Sequence, residues 1–441
     1  MGHVSTGSSL AAAILLSFVA SPAAQAADDV RIEASAVHGP LTYVEQETGD
    51  FASPYRGPNS LSPGIGRETL DVTLYLGTRL WPGAEGWLNP ELDQGFGLDN
   101  TLGAAGFPSG EAYKVGRATP YLRLPRAFVR QTVDLGADRE PVEGVANQLA
   151  GSRSPDRLVL TVGKFGAGDV FDTSQYAHDP RGDFFNWTAI DAGSFDYAAD
   201  AWGFTVGASA EWYHGPWTLR AGSFALSNVP NSEHLASGGH AFQLLAELER
   251  RYAIAGHQGR VLVTGYDSRA RMALLADALA LAASGNSIDV AAVRRYRSRT
   301  GAHVLVEQQV SADLAVFARL GGASGNVEAY EFTDIDRAFE IGTSLKGALW
   351  SRPRDTVGIA AMANGISATR RRFLDAGGLG ILVGDGRLPR PAPERIFEAY
   401  YSLAVRDWGA LTADYQHIAN PAYNADRGPA SVFALRVHAQ F

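Results

Sequence analysis

The last eleven residues, Ser431 to Phe441 (SVFALRVHAQF), constrain this chain more than any other stretch. In an extended strand Phe433, Leu435, Val437, Ala439 and the terminal Phe441 share one face, while Ala434, Arg436, His438 and Gln440 share the other. Segments with this alternation recur along the chain, and an export signal precedes them. The reading is all-β: a transmembrane antiparallel β-barrel of the outer membrane, apolar towards lipid and polar towards a lumen. A terminal aromatic on such a strand is also what an outer-membrane assembly machinery is expected to read, so Phe441 is the expected contact with it.

The export signal lies in Leu10 to Ala20 (LAAAILLSFVA), too short to span a bilayer as a helix, followed by Ala24-Gln25-Ala26 with small residues where a signal peptidase tests them. Cleavage is expected after Ala26, which divides the chain into a signal peptide, 1–26, and one barrel domain, 27–441. The segment before the apolar run carries His3 and no Lys or Arg. Beyond the signal no apolar run approaches the roughly 20 residues of a spanning helix, so a membrane protein of this sequence has to be a barrel.

Composition removes other classes. The 441 residues include no cysteine, hence no disulfide framework, thiolate nucleophile or Cys-held metal. A formal charge of −9 argues against nucleic acid as a partner. The ten histidines are scattered without an H-E-x-x-H pair, and the aspartates of 163–200 lack the order of a calcium loop, so neither a metal nor another cofactor is expected and no catalytic residue is assigned. All but three of the 38 basic residues are arginine, the exceptions being Lys114, Lys164 and Lys346. Two explanations stay open. GC-rich coding favours Arg together with Ala and Gly, and Arg also offers five fixed donors to passing hydroxyl-rich ligands.

Alternating segments are expected near 30–38, 70–79, in two pieces around 119–135, and at 158–165, 204–213, 217–221, 242–251, 260–266, 303–310, 313–320, 337–346, 355–364, 397–405, 411–417 and the C-terminus, about sixteen in all. Pro125 marks a bulge or break. Short links such as His214 to Pro216 and Val310 to Asp313 read as periplasmic turns, and 82–117, 136–156, 166–200, 227–239 and 365–393 as long extracellular loops. Ala270 to Ala283 reads as a short helix packed at a barrel end. Trp81, Trp202, Trp212, Trp217, Trp350 and Trp408 lie near strand ends, where an interfacial girdle needs amphipathic rings. Alternation makes Arg79, Arg123, Arg126, Arg130, Arg220, Glu247, Glu249, Arg251, Arg319, Arg337, Glu340, Lys346, Arg436 and His438 candidates for the lumen face. The polar and aromatic segment 163–200 reads as a folded loop entering or covering the lumen, with Asp169, Asp172, Arg181 and Trp187 as candidates for a constriction.

Several motifs carry a resemblance. Gly163 to Asp172 (GKFGAGDVFD), Tyr176 to Arg181 (YAHDPR), Phe185 to Trp187 (FNW) and Phe195 to Asp200 (FDYAAD) are similar to the internal signature of carbohydrate-selective porins of the OprB type. So are Gly377 to Gly386 (GGLGILVGDG), Glu398 to Tyr401 (EAYY), Asp414 to Asn424 (DYQHIANPAYN) and Asp426 to Pro429 (DRGP). The resemblance covers roughly 160–441 and implies a sixteen-stranded barrel through which mono- and small oligosaccharides diffuse, with loops folded inward to narrow the pore. Its expected partners are carbohydrate solutes, outer-membrane lipids and the assembly machinery, with a homo-oligomer left open. The alternative is a general or non-transporting barrel, structural or adhesive.

Overall fold

The computed structural model describes residues 32–112, 115–283 and 288–441, so the expected signal peptide lies outside it. Sixteen antiparallel strands close into a barrel. The first is Ser35–His38 continued by Pro40–Thr48, and the second is Gly66–Thr73 continued by Tyr75–Trp81. Next come Ala84–Gly95, Arg117–Asp134, Arg157–Phe165, Thr205–His214, Trp217–Ala225, Phe242–Ile254, His257–Met272 and Arg295–Gln309. Leu314–Ala323, Arg337–Gly347, Arg352–Gly365, Glu394–Ala404, Gly409–Ala419 and Ala430–Gln440 complete the wall.

Closure occurs where the last strand, already paired with Gly409–Ala419, pairs with Pro40–Thr48. Gly39 and Phe441 exchange backbone hydrogen bonds of 3.1 Å in both directions. A Cβ on Gly39 would lie 2.5 Å from the Phe441 ring, so glycine there lets the terminal ring lie across the seam. Every strand is thereby paired on both edges, which is the condition for crossing lipid without orphaned backbone groups. Among the described residues no helix is long and apolar enough to cross a membrane.

Three expectations about loops and strands need correction. Residues 82–117 are not one loop, because Pro82 and Gly83 form a tight turn and Ala84–Gly95 is a wall strand. The two pieces near 119–135 are one strand, Arg117–Asp134, whose register against Ala84–Gly95 shifts between Asn89 and Glu91. The bulge expected at Pro125 is that shift. Residues 136–156 leave the wall at the end of the barrel that bears the short turns, not at the end that bears the long loops. There they form a small hairpin, Glu140–Val142 against Gly151–Arg153. The expected helix is shorter than its sequence signal, since Ala270 to Met272 finish a wall strand and the helix proper is Leu275–Ala283. Its Leu275 and Ala278 pack in one cluster with Phe373 and Leu374 of a second helix, Ala368–Asp375, at the long-loop end.

The girdle is also one-sided. Trp81, Trp212, Trp217 and Trp408 are exposed beside the short turns, and the half-buried Trp350 joins them through its indole N–H to Tyr401 Oη at 3.3 Å. Trp202 does not belong to it. Its indole N–H donates to Tyr121 Oη at 3.2 Å, and the Arg123 guanidinium lies over its ring, which places it on the lumen side.

Candidate functional site

The lumen is occupied by the segment 166–204, which leaves the strand Arg157–Phe165 at the long-loop end and folds inward. Its apolar residues build a core inside the barrel. Phe184, Trp187 and Ile190 pack with inward-facing Leu262, Leu305, Phe317, Met362, Ile396 and Tyr400 of the wall. The inner face therefore carries apolar side chains beneath the loop alongside its polar ones, which departs from a uniformly polar lumen. Asn186 caps the one-turn helix Trp187–Ile190 by accepting from the Thr188 N–H at 3.0 Å, and its amide reaches Gly106 O and Gln416 at 2.9 and 3.0 Å.

Wall carboxylates supply the acceptors that a buried loop backbone needs. Glu247 accepts from the Asp172 N–H at 2.8 Å, Glu307 from Gln175 at 2.9 Å, and Glu398 from Phe185 and Asn186 at 2.5 and 3.2 Å. Wall arginines do the converse for carbonyls. Arg319 donates to Ala189 O at 2.7 Å and Ala177 O at 2.8 Å, and Arg436 to Pro180 O at 2.6 Å and Asp183 O at 2.9 Å.

Charge pairs fix the loop laterally. Arg126 grips Asp169 through two bonds of 2.6 and 2.8 Å. Burial pushes the Asp169 carboxyl up, and Arg126 with the Gly166 N–H more than reverses this, leaving it below the ordinary aspartate range. Asp172 sits 3.2 Å from Arg319, which also holds Glu340 at 3.0 Å. Arg181 reaches Glu111, Asp71 and Glu91 at 2.9, 3.1 and 3.3 Å, tying the loop to two wall strands and to the loop before the Arg117–Asp134 strand. Arg123 is paired with Glu91 and Asp93.

Beyond the loop two spaces open towards the short-turn end. One of 380 Å³ is lined by Arg130, Arg157, Asp169, Glu211, Tyr213 and Arg220. The other, of 350 Å³, is bordered by Tyr75, Asp179, Arg181, His438 and Phe441. The hairpin in 135–156 stands between them, with Val145 and Ala146 bordering both. Asn147, in a left-handed conformation at φ 58°, accepts from Asn89 and Arg130 at 2.9 and 2.7 Å, and Arg79 donates to Ala150 O at 2.7 Å.

The sequence candidates thus divide. Arg130 and Arg220 line the larger space, Arg220 being held by Glu211, Glu247 and Glu249 at 3.2, 2.6 and 2.8 Å. Arg319, Arg436 and Glu247 point inward but lie beneath the loop as its anchors. Arg79 holds the hairpin, and Arg251, a half-buried strand residue beside the short-turn end, bonds to Glu249, Thr218 and Gly215 O. Trp187 is buried, stacked on Phe107 at 5.1 Å, so it stiffens the loop from within. Arg337 is misplaced by the sequence reading: it shares the outward face with Phe339 and Ile341, whereas Glu340, one step out of phase, is buried inside. Missed altogether were Arg157, whose guanidinium lies 3.8 Å over the Tyr213 ring, and Glu91 and Asp93, hidden in the unrecognised strand. Alternation in Leu158 to Phe165, extended back one residue, gives the phase of Arg157.

The family model of carbohydrate-selective porins, OprB family, matches residues 62–441. The chain belongs to this family. The porin is an outer-membrane protein through which carbohydrates diffuse passively, and it is a channel, not an enzyme. It is similar in fold to the high-pH structure of Pseudomonas putida OprB, with a TM-score of 0.72 at 18% identity, covering 92% of this chain and 94% of that one. The low-pH structure of the same protein gives 0.49 at 14% identity, covering 92% of both chains, and the DcaP channel of Acinetobacter baumannii gives 0.48 at 13%, covering 92% and 97%. No curated protein sequence matches the porin. Outer-membrane barrels turn their long loops to the exterior and their short turns to the periplasm, which puts the hairpin of 135–156 on the periplasmic side.

Proposed function

We propose that the porin selects mono- and small oligosaccharides where the inward loop meets the arginine-bearing wall at Arg123, Arg126 and Arg130, and in the space below lined by Arg130, Asp169, Tyr213 and Arg220. The observation that carries this is the register shift at Pro125. It brings Arg123 onto the same inner face as Arg126 and Arg130, beside the rings of Trp202 and Phe204. An uncharged sugar is recognised by planar donors on vicinal hydroxyls and by aromatic faces on its C–H surfaces, and flux requires that it leave again, so affinity belongs near the millimolar range, about −4 kcal/mol. Paired guanidiniums and carboxylates offer such donors and acceptors without a net field that would favour ions.

Bilayer conductance with and without sugar tests the reading. Open-channel current is expected to fall with sugar and not with an equal osmotic load of a polymer too large to enter. Arg126→Ala with Arg130→Ala is expected to widen the passage, raise cation conductance and weaken sugar block by about 1–3 kcal/mol per lost donor pair. Equal responses to sugar and polymer would favour a general or non-transporting barrel. The same reading has 1–26 removed on export and Phe441, exposed at the seam, read by the assembly machinery. The mass of the solubilised porin decides between monomer and trimer.

A further inference from the structure

The outer wall differs at its two ends. Tryptophans ring the periplasmic rim, but the extracellular rim carries outward-facing arginines at strand ends, among them Arg269, Arg271, Arg337 and Arg395. One pair is set into a groove. Arg337, the first residue of its strand, and Arg371, on the exposed side of the helix Ala368–Asp375, flank a depression of 430 Å³ on the lipid side of the wall. Its floor is apolar, with Leu320 and Phe339 exposed at 63% and 46%, and Ile366 and Pro391 closing the upper side. No carboxylate lines it, and among the described residues neither guanidinium has an acidic partner. That is unusual in a molecule whose inward arginines are paired almost throughout.

We propose that this groove binds a phosphate-bearing lipid of the outer leaflet, of the lipid A class, with its phosphate between Arg337 and Arg371 and an acyl chain along Leu320 and Phe339. A guanidinium at the edge of the hydrocarbon layer needs an anion, and Arg matches phosphate through two parallel N–H donors. The depth is right for one. Arg337 stands at the strand end where phosphates lie, while Phe339 and Ile341 continue its face downward into the apolar belt. Neither a soluble anion nor an apolar chain alone accounts for both halves of the groove.

Native mass spectrometry of the full-length mature porin in mild detergent, with added bisphosphorylated lipid A, tests this. A one-to-one adduct is expected, reduced at least tenfold in apparent affinity by Arg337→Gln with Arg371→Gln and partly restored by Lys at both positions. Dephosphorylated lipid A should bind wild type at least tenfold more weakly and should not distinguish the variants. Leu320→Ser with Phe339→Ser should weaken lipid A binding while leaving competition by inorganic phosphate unchanged. Both arginines are exposed, so each Gln variant is expected to fold, checked by its gel shift on boiling; should the double variant fail, the single Arg371→Gln carries the test. Equal binding of lipid A by wild type and the Gln variants would overturn the proposal. So would equal binding of the dephosphorylated lipid, or free phosphate competing as well as the lipid, which would leave an anion site only.

Discussion

Asp172 combines a left-handed backbone (φ 56°), a buried carboxylate and a backbone N–H spoken for by Glu247, so the loop has little freedom at this point. Burial pushes its carboxyl up, and Arg319 followed by His303 pulls it below the usual aspartate range. Removing Arg319 would strand two buried carboxylates, Asp172 and Glu340, at a cost of about 3–5 kcal/mol. Arg319→Ala is therefore expected to lower the unfolding midpoint in detergent and to raise single-channel conductance as the loop loosens, both measurable on one preparation. Arg319 was legible as an inward residue because its strand alternates cleanly. Its being covered was not, because which lumen arginines are wet depends on the path of a loop that begins about 150 residues earlier. Arg337 failed for a simpler reason: a charge near Glu340 looks inward until their odd spacing is counted.

At the scale of elements the same loop carries a pH dependence. His178 lies 3.5 Å from Asp191. Burial lowers its pKa, but the hydrogen bond and charge of Asp191 outweigh that and raise it from the ordinary 6.5 to about 9. A raised folded-state value means that the imidazolium contributes to loop docking fully below pH 6.5, and that this contribution is lost as pH rises through about 9. Channel noise from loop movement is expected to grow over that window, and His178→Gln to remove the pH dependence. The periplasmic hairpin makes a second prediction. Asn147→Gly with Arg79→Ala, which removes two of its ties, should raise conductance without changing the yield of folded barrel.

The hairpin and the Ala84–Gly95 strand were illegible for one linked reason. Pro90, Asn89, Gly86 and Asp93 give that strand the composition of a turn, and its Glu91 and Asp93 find partners only through the fold, in Arg123 on the next strand and Arg181 of the inward loop. Missing a strand inverts the side on which every neighbouring connection emerges. Reading Arg117–Asp134 as two strands restored the parity afterwards, so the total came out near sixteen with two elements misassigned. The inward loop was readable because 163–200 is both too polar for a wall and too aromatic for a solvated excursion.

For the whole molecule, a closed hydrogen-bonded barrel is expected to migrate faster on a gel before boiling than after, and to show a β-dominated circular dichroism spectrum. Deleting Phe441 is expected to lower the assembled fraction in cells several-fold, measured by that same gel shift. A normal assembled fraction would remove the assembly role and leave the ring only its packing over Gly39. Strand number and direction come from alternation and parity, which act locally. The placement of loop and hairpin inside the wall comes from long-range charge pairing, which no local pattern announces.

If solutes are selected at the loop as proposed, the hairpin below it adds a second sieve in series with the first. A solute that clears the first enters an antechamber and must choose between two exits or return, so its dwell time is set by the tighter of two independent apertures. Because nothing in the porin spends energy, net movement still follows the concentration difference. An upper aperture lined by Arg–Asp pairs and a lower one lined by hairpin backbone need not rank sugars in the same order. Current interruptions caused by sugar added on one side should therefore differ in duration from those caused by the same sugar added on the other, although the net flux they report is equal and opposite.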